Sequence, residues 1–103
     1  MKMLLIIYEA GIDEDLQGVI ERLEVSGWTK LAGATGTGHR GNRFGTQIWP
    51  GTNNLLLVAL PEDQVPGIVG ELNELKSSYL KPPALQIFVL PVDTDGGPSS
   101  AKR

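Results

Sequence analysis

Cysteine is absent from the sequence, and histidine occurs once, at His39. These absences exclude disulfides, thiolate metal sites and a cysteine nucleophile, and they fit a reducing compartment. A metal site would have to use carboxylates or a His39 shared between copies of the chain. No apolar run approaches the ~20 residues that a membrane-spanning helix needs. The opening MKMLLIIYEAG leads into acidic residues rather than a small-residue cleavage site, so no leader is expected and a cytoplasmic location is. At 103 residues the chain can build one core but not two.

Carboxylates are missing from one long stretch. None lies between Glu24 and Glu62, while Lys30, Arg40 and Arg43 do, so that span carries +3 and, with a net charge of -3, the remainder carries -6. The overall acidity argues against a nucleic-acid partner. An acid-free, glycine-rich span suits a small anion, because backbone N–H groups and a few cations can surround a phosphate or carboxylate. Chance clustering on a surface loop is the alternative. The centre of this span, Thr35 to Asn53 (TGTGHRGNRFGTQIWPGTN), holds five glycines and a Trp-Pro-Gly turn. Phe44, Ile48 and Trp49 are more apolar than a disordered linker needs, so the segment is read as a working surface.

Regular elements flank it. Lys2 to Tyr8 (KMLLIIY) is a short β-forming run. From Asp13, Leu16, Val19, Ile20 and Leu23 follow one helical face, with Asp13, Glu14 and Asp15 at the positive end of the dipole and Gly27 as the stop. WTKLAGAT (28–35) and Asn54 to Leu60 read as the second and third strands. Val65, Ile68, Val69, Leu72 and Leu75 form another stripe, and Pro66 must fall in the first turn, which places the helix start near Asp63. Leu85 to Val92 is the last strand, and residues 93–103 form a tail without a large apolar anchor.

The order is βαββαβ. It predicts a ferredoxin-like α+β domain over residues 1–92, with a four-stranded antiparallel sheet and two helices on one face. Leu55 to Leu60 and, apart from Gln86, Leu85 to Leu90 are apolar at successive positions, which implies burial on both sheet faces. Helices on one side cannot supply that, so a symmetric oligomer is expected.

Individual residues carry paired readings. Gly36, Gly38 and Gly41 can cradle an anion with their amides or simply make turns. His39 can titrate near neutral pH, donate to a phosphate, or ligate a metal. Trp49 and Trp28 either pin the chain to the core or stack on a ligand. Arg40 and Arg43 are candidates for anion or partner contact, against ordinary solubility charges. No catalytic constellation is evident, and Glu9, Glu62 and Asp63 are better explained at a strand end and a helix start, so no enzyme activity is expected. An acylphosphatase-like phosphate cradle after the first strand is disfavoured by the acidic YEAGIDED.

The βαββαβ order, Gly27-Trp28-Thr29 at the second strand, Gly36-Thr37-Gly38 entering a long loop, Leu60 to Asp63 (LPED), and Ile87 to Val92 (IFVLPV) together resemble PII signal-transduction proteins, in particular their shorter PII-like branch. The resemblance implies a homotrimer that binds an adenine nucleotide or another small anionic effector in clefts between subunits. It implies that residues 35–53 are a T-loop touching a partner protein, with a membrane transporter among the candidate targets. Gly27, Trp28 and Thr29 would sit beside the base, and Gly36, Thr37, Gly38 and His39 near the phosphates. Arg40 and Arg43 with Lys81 would supply charge, and Arg40, Asn42, Arg43 and Phe44 would face the partner. Where the family carries a Gly-Asp-Gly-Lys turn before the last strand, this chain has Pro83-Ala84-Leu85-Gln86; Leu57 and Asn53 replace an acidic and a basic residue of the third strand. These departures imply a ligand with less charge than ATP. Two alternatives stay open: a metal-responsive trimer with His39 as ligand, and a structural trimer with no ligand.

Overall fold

A computed structural model of the chain describes residues 1–36 and 52–93. The strands are β1 (Lys2–Glu9), β2 (Thr29–Ala34), β3 (Asn53–Leu60) and β4 (Leu85–Pro91), and the helices are α1 (Asp13–Arg22) and α2 (Val65–Ser77). Short 3-10 turns, Ala10–Ile12 and Glu62–Gln64, lead into the two helices. The strands form one antiparallel sheet in the order β2-β3-β1-β4, the ferredoxin-like arrangement, with β1 and β3 inside and β2 and β4 at the edges.

Alternation along β1 sets the core. Leu4, Ile6 and Tyr8 are fully buried and join Leu56, Val58 and Leu60 of β3 beneath Leu16, Val19 and Ile20 of α1 and Ile68 and Leu72 of α2. The other face is apolar too. Register places Leu31 beside Leu55, Leu57 across from Leu5, and Phe88 and Leu90 across from Leu5 and Met3. Within one chain nothing described covers this face: Leu31, Phe88 and Leu90 remain 52%, 46% and 42% exposed. One face is therefore buried by the helices, and the second face implied by the sequence is apolar but open in the single chain.

Two helix boundaries differ from expectation. Gly27 does not end α1; Leu23 caps it, with its N–H donating to the Val19 carbonyl, and Glu24 follows with φ 55 in the left-handed region. Leu23 and Val25 both pack on the core, so the chain has to turn between them, ahead of Gly27. At α2, the Gln64 N–H donates to the Pro61 carbonyl at 3.0 Å, which closes a 3-10 turn over Glu62–Gln64 and delays the helix from Asp63 to Val65. Pro66 still falls in the first turn, where its missing N–H costs nothing.

At the far end of β2 the register shifts between Leu31 and Ala34, and Gly33 adopts φ 78 there. A side chain at that angle is strained, so glycine permits the bulge that turns β2 toward residue 35.

Candidate functional site

The root of the central segment is where β1 and β2 end and β3 begins, with Ala34 paired to Asn53. Two backbone contacts fasten it. The Ala10 N–H donates to the Thr52 carbonyl at 3.0 Å, and the Glu9 N–H donates to the Ala84 carbonyl at 3.2 Å. The approach to β3 and the approach to β4 are thereby both tied to the end of β1.

Behind this root lies a polar cluster centred on Asp13, the first residue of α1. The Tyr8 hydroxyl donates to Asp13 Oδ1 at 2.6 Å, Asn54 Nδ2 donates to the same oxygen at 3.2 Å, and Lys30 Nζ donates to Oδ2 at 2.9 Å. Tyr8 and Asn54 face each other across the β1–β3 ladder, and both point at the helix start. The hydrogen bond from Tyr8, then that from Lys30, holds the Asp13 carboxyl below the usual carboxylate range. Burial, followed by the bond to Asp13, pushes the Tyr8 phenol well above its ordinary value.

This cluster corrects the charge picture of the acid-free span. Lys30 is paired with Asp13 and is not a cation held ready for a ligand. Asp13, in turn, is more than a dipole partner of its helix. Sequence spacing missed the arrangement because its members come from β1, α1, β2 and β3; the facing pair Tyr8 and Asn54, once in register, is the signal that would have found it.

The other candidates separate into two groups. Gly27 and Trp28 precede β2 and Thr29 begins it; all three are exposed. Gly36 is exposed two residues beyond the end of β2. Lys81 is exposed on the approach to β4, next to Leu80, which is 94% exposed. Thr37, Gly38, His39, Arg40, Asn42, Arg43 and Phe44 lie outside the described residues, as do Trp49, most of the 35–53 segment and the tail beyond Asp93.

Gly27, Trp28, Thr29 and Gly36 thus belong to the β2 edge of the sheet, whereas Lys81 belongs to the β4 edge. The two edges are three strand spacings apart, roughly 14 Å at the usual separation of neighbouring strands. A single chain does not bring them into one small site.

On the β4 approach, the segment from Pro83 to Leu85 is packed into the fold. Pro83 is buried, Leu85 is 4% exposed, and the Ala84 N–H donates to Glu9 Oε1 at 3.0 Å. Nearby, the Tyr79 hydroxyl donates to Asp15, which pushes the phenol up to about 12. Among the described residues, no group of three His, Asp or Glu side chains could hold a metal ion, and no helix is long and apolar enough to cross a membrane.

A sequence model of the family described as "Nitrogen regulatory protein P-II" matches residues 1–95. No significant match is found among curated proteins. Among solved structures, CPII from Thiomonas intermedia K12 bound to ADP, AMP and acetate is similar at 20% identity, over 99% of this chain and 94% of that one, with a TM-score of 0.75. The same protein, described as nitrogen regulatory PII-like, bound to ADP, AMP and bicarbonate, is similar at 21% identity over 85% and 81% of the two chains, with a TM-score of 0.64. A PII-like signalling protein of Thermus thermophilus is similar at 24% identity over 85% and 81%, with a TM-score of 0.61. At these identities the likeness establishes the fold.

Proposed function

Because the chain belongs to the nitrogen regulatory protein P-II family, we propose that it is a regulatory protein that binds an adenine nucleotide, or a comparably small anion, in clefts between the subunits of a homotrimer. Its output runs through residues 35–53, which act as a T-loop on a partner protein, and residues 1–92 form the domain that carries it. The observation that supports this most is the separation of the candidate residues onto opposite sheet edges, which makes a cleft between copies the economical way to unite Trp28, Thr29 and Gly36 with Lys81. The open apolar sheet face supports the same assembly, since a second copy would remove Leu31, Phe88 and Leu90 from water. CPII, which shares the fold, binds ADP and AMP.

Ordering a glycine-rich segment costs conformational entropy, so an effector can switch it only by contacting the segment differently in its two states. Arg40 and Arg43 are the residues proposed to make that contact. A ligand that binds only the folded protein raises its melting temperature by mass action. Thermal melts against ATP, ADP, AMP, cyclic nucleotides, bicarbonate and divalent metals, with the mass measured by light scattering, should show a trimer stabilised by an adenine nucleotide. The response should weaken when Arg40→Ala and Arg43→Ala are combined. A monomer, or a chain that responds to neither a nucleotide nor bicarbonate, would overturn this reading, and a response to metal alone that vanishes in His39→Ala would replace it.

A further inference from the structure

Glu9 ends β1 with its carboxylate on the segment that leads into β4. Facing residues of an antiparallel ladder commonly exchange two backbone hydrogen bonds. Here the Glu9 N–H donates to the Ala84 carbonyl, but the Ala84 N–H donates to the Glu9 side chain, at 3.0 Å from Oε1. The two residues before Ala84 are Pro82 and Pro83, which have no N–H. Three consecutive positions therefore offer no amide to an anion, and the place such an amide would serve is taken by a carboxylate. Lys81, exposed at the head of the segment, is the one cation within it, and the other nearby ammonium, Lys76 Nζ, is engaged at its far end as a donor to the Leu85 carbonyl at 3.3 Å. A second carboxylate, Asp15, stands close by on Tyr79, and Glu9 itself acts electrostatically on that phenol.

Resting on the reading of Lys81 as part of the effector cleft, we propose that this wall accepts an adenine nucleoside monophosphate and rejects the triphosphate, with Glu9 as the specificity-determining residue. Lys81 can complement one phosphate. Each further phosphate that reaches the wall meets no free amide over Pro82 to Ala84, gives up its hydration without a replacement donor, and approaches the Glu9 carboxylate. Burying an anion without donors and setting like charges together are both unfavourable, and both penalties grow with phosphate number.

Calorimetric titration of the full chain with adenosine, AMP, ADP and ATP, without magnesium, tests this. AMP should bind best, with ATP weaker by about tenfold or more, as expected for uncompensated like charges at a partly exposed site. Glu9→Gln keeps an acceptor for the Ala84 N–H and removes the charge; it should move the ATP-to-AMP affinity ratio toward ATP by about three- to tenfold. ATP binding to the wild-type chain as tightly as AMP overturns the inference, and so does a ratio unchanged in Glu9→Gln. The wild-type series decides the first point even if the variant does not fold. Failure of every nucleotide to bind removes the nucleotide form of the effector reading and this inference with it, whereas binding without discrimination removes this inference alone.

Discussion

Replacing Tyr8 with Phe deletes one oxygen from a fully buried ring and tests the polar cluster at the head of α1. The hydroxyl donates at 2.6 Å to Asp13 Oδ1, whose only other described partner is Asn54 Nδ2 at the longer distance of 3.2 Å. Hydrogen bonds to a charged partner contribute about 1.5–3 kcal/mol. Phe leaves no unsatisfied donor of its own, so a cost near about 2 kcal/mol is expected, without the larger penalty of a cavity. The penalty should also depend on pH. Asp13 has a depressed carboxyl in the fold, and the Tyr8 bond is the first cause. Its contribution is therefore present above the unfolded carboxylate value and is lost as pH falls through the folded one. Urea unfolding at a fixed protein concentration should show the difference between wild type and Tyr8→Phe at pH 7 and a smaller difference as the pH is lowered below about 4, the ordinary aspartate value. A penalty below about 0.5 kcal/mol at pH 7, the size typical of a neutral surface change, would refute the reasoning. A penalty that does not change with pH would assign the effect to packing instead of the carboxylate.

Other measurements follow from the same structure. Leu72 is fully buried between α2 and the sheet, and Leu72→Ala should cost about 2–5 kcal/mol in chemical denaturation. The chain has two tyrosines, Tyr8 and Tyr79, and both phenols are raised. The folded protein should show little tyrosinate absorbance near pH 10, where the unfolded chain is half ionised. Asp15→Asn should bring Tyr79 back toward the ordinary value, and an unchanged titration would show that Asp15 is not the cause. Because a raised phenol favours the fold below its unfolded value, that contribution disappears as pH climbs through the folded one.

The elements were legible because they are local. The run at Lys2 to Tyr8 and the stripes through Leu16 and Leu72 carry their own periodicity, and the topology followed from their order. Successive apolar residues in β3 also announced a sheet with two apolar faces, visible here in the alternation of Leu56 and Val58 with Leu55 and Leu57. What stayed hidden depends on register. Asp13 and Asn54 are 41 residues apart, and Glu9 and Ala84 are 75 apart; no spacing rule connects them until the strands are paired. Lys30 looked like an available cation for the same reason, since the carboxylate that holds it sits on the previous helix. The end of α1 was misplaced because glycine is a permissive stop, whereas the core contacts of Leu23 and Val25 decide where the chain has to turn.

The central position of β1 carries a consequence for biosynthesis. Lys2 sits opposite Leu60 on one side and Pro91 on the other, so β1 is made before either of the strands it pairs with. During translation β1 has neither native ladder until β3 is complete, and its second waits for the last strand. Such non-local pairing slows folding and leaves an apolar strand with open edges in the nascent chain. Its hydrogen-bonding groups then have to be kept from other chains by water or by a chaperone, and truncation before Leu85 would leave the central strand as a permanent edge.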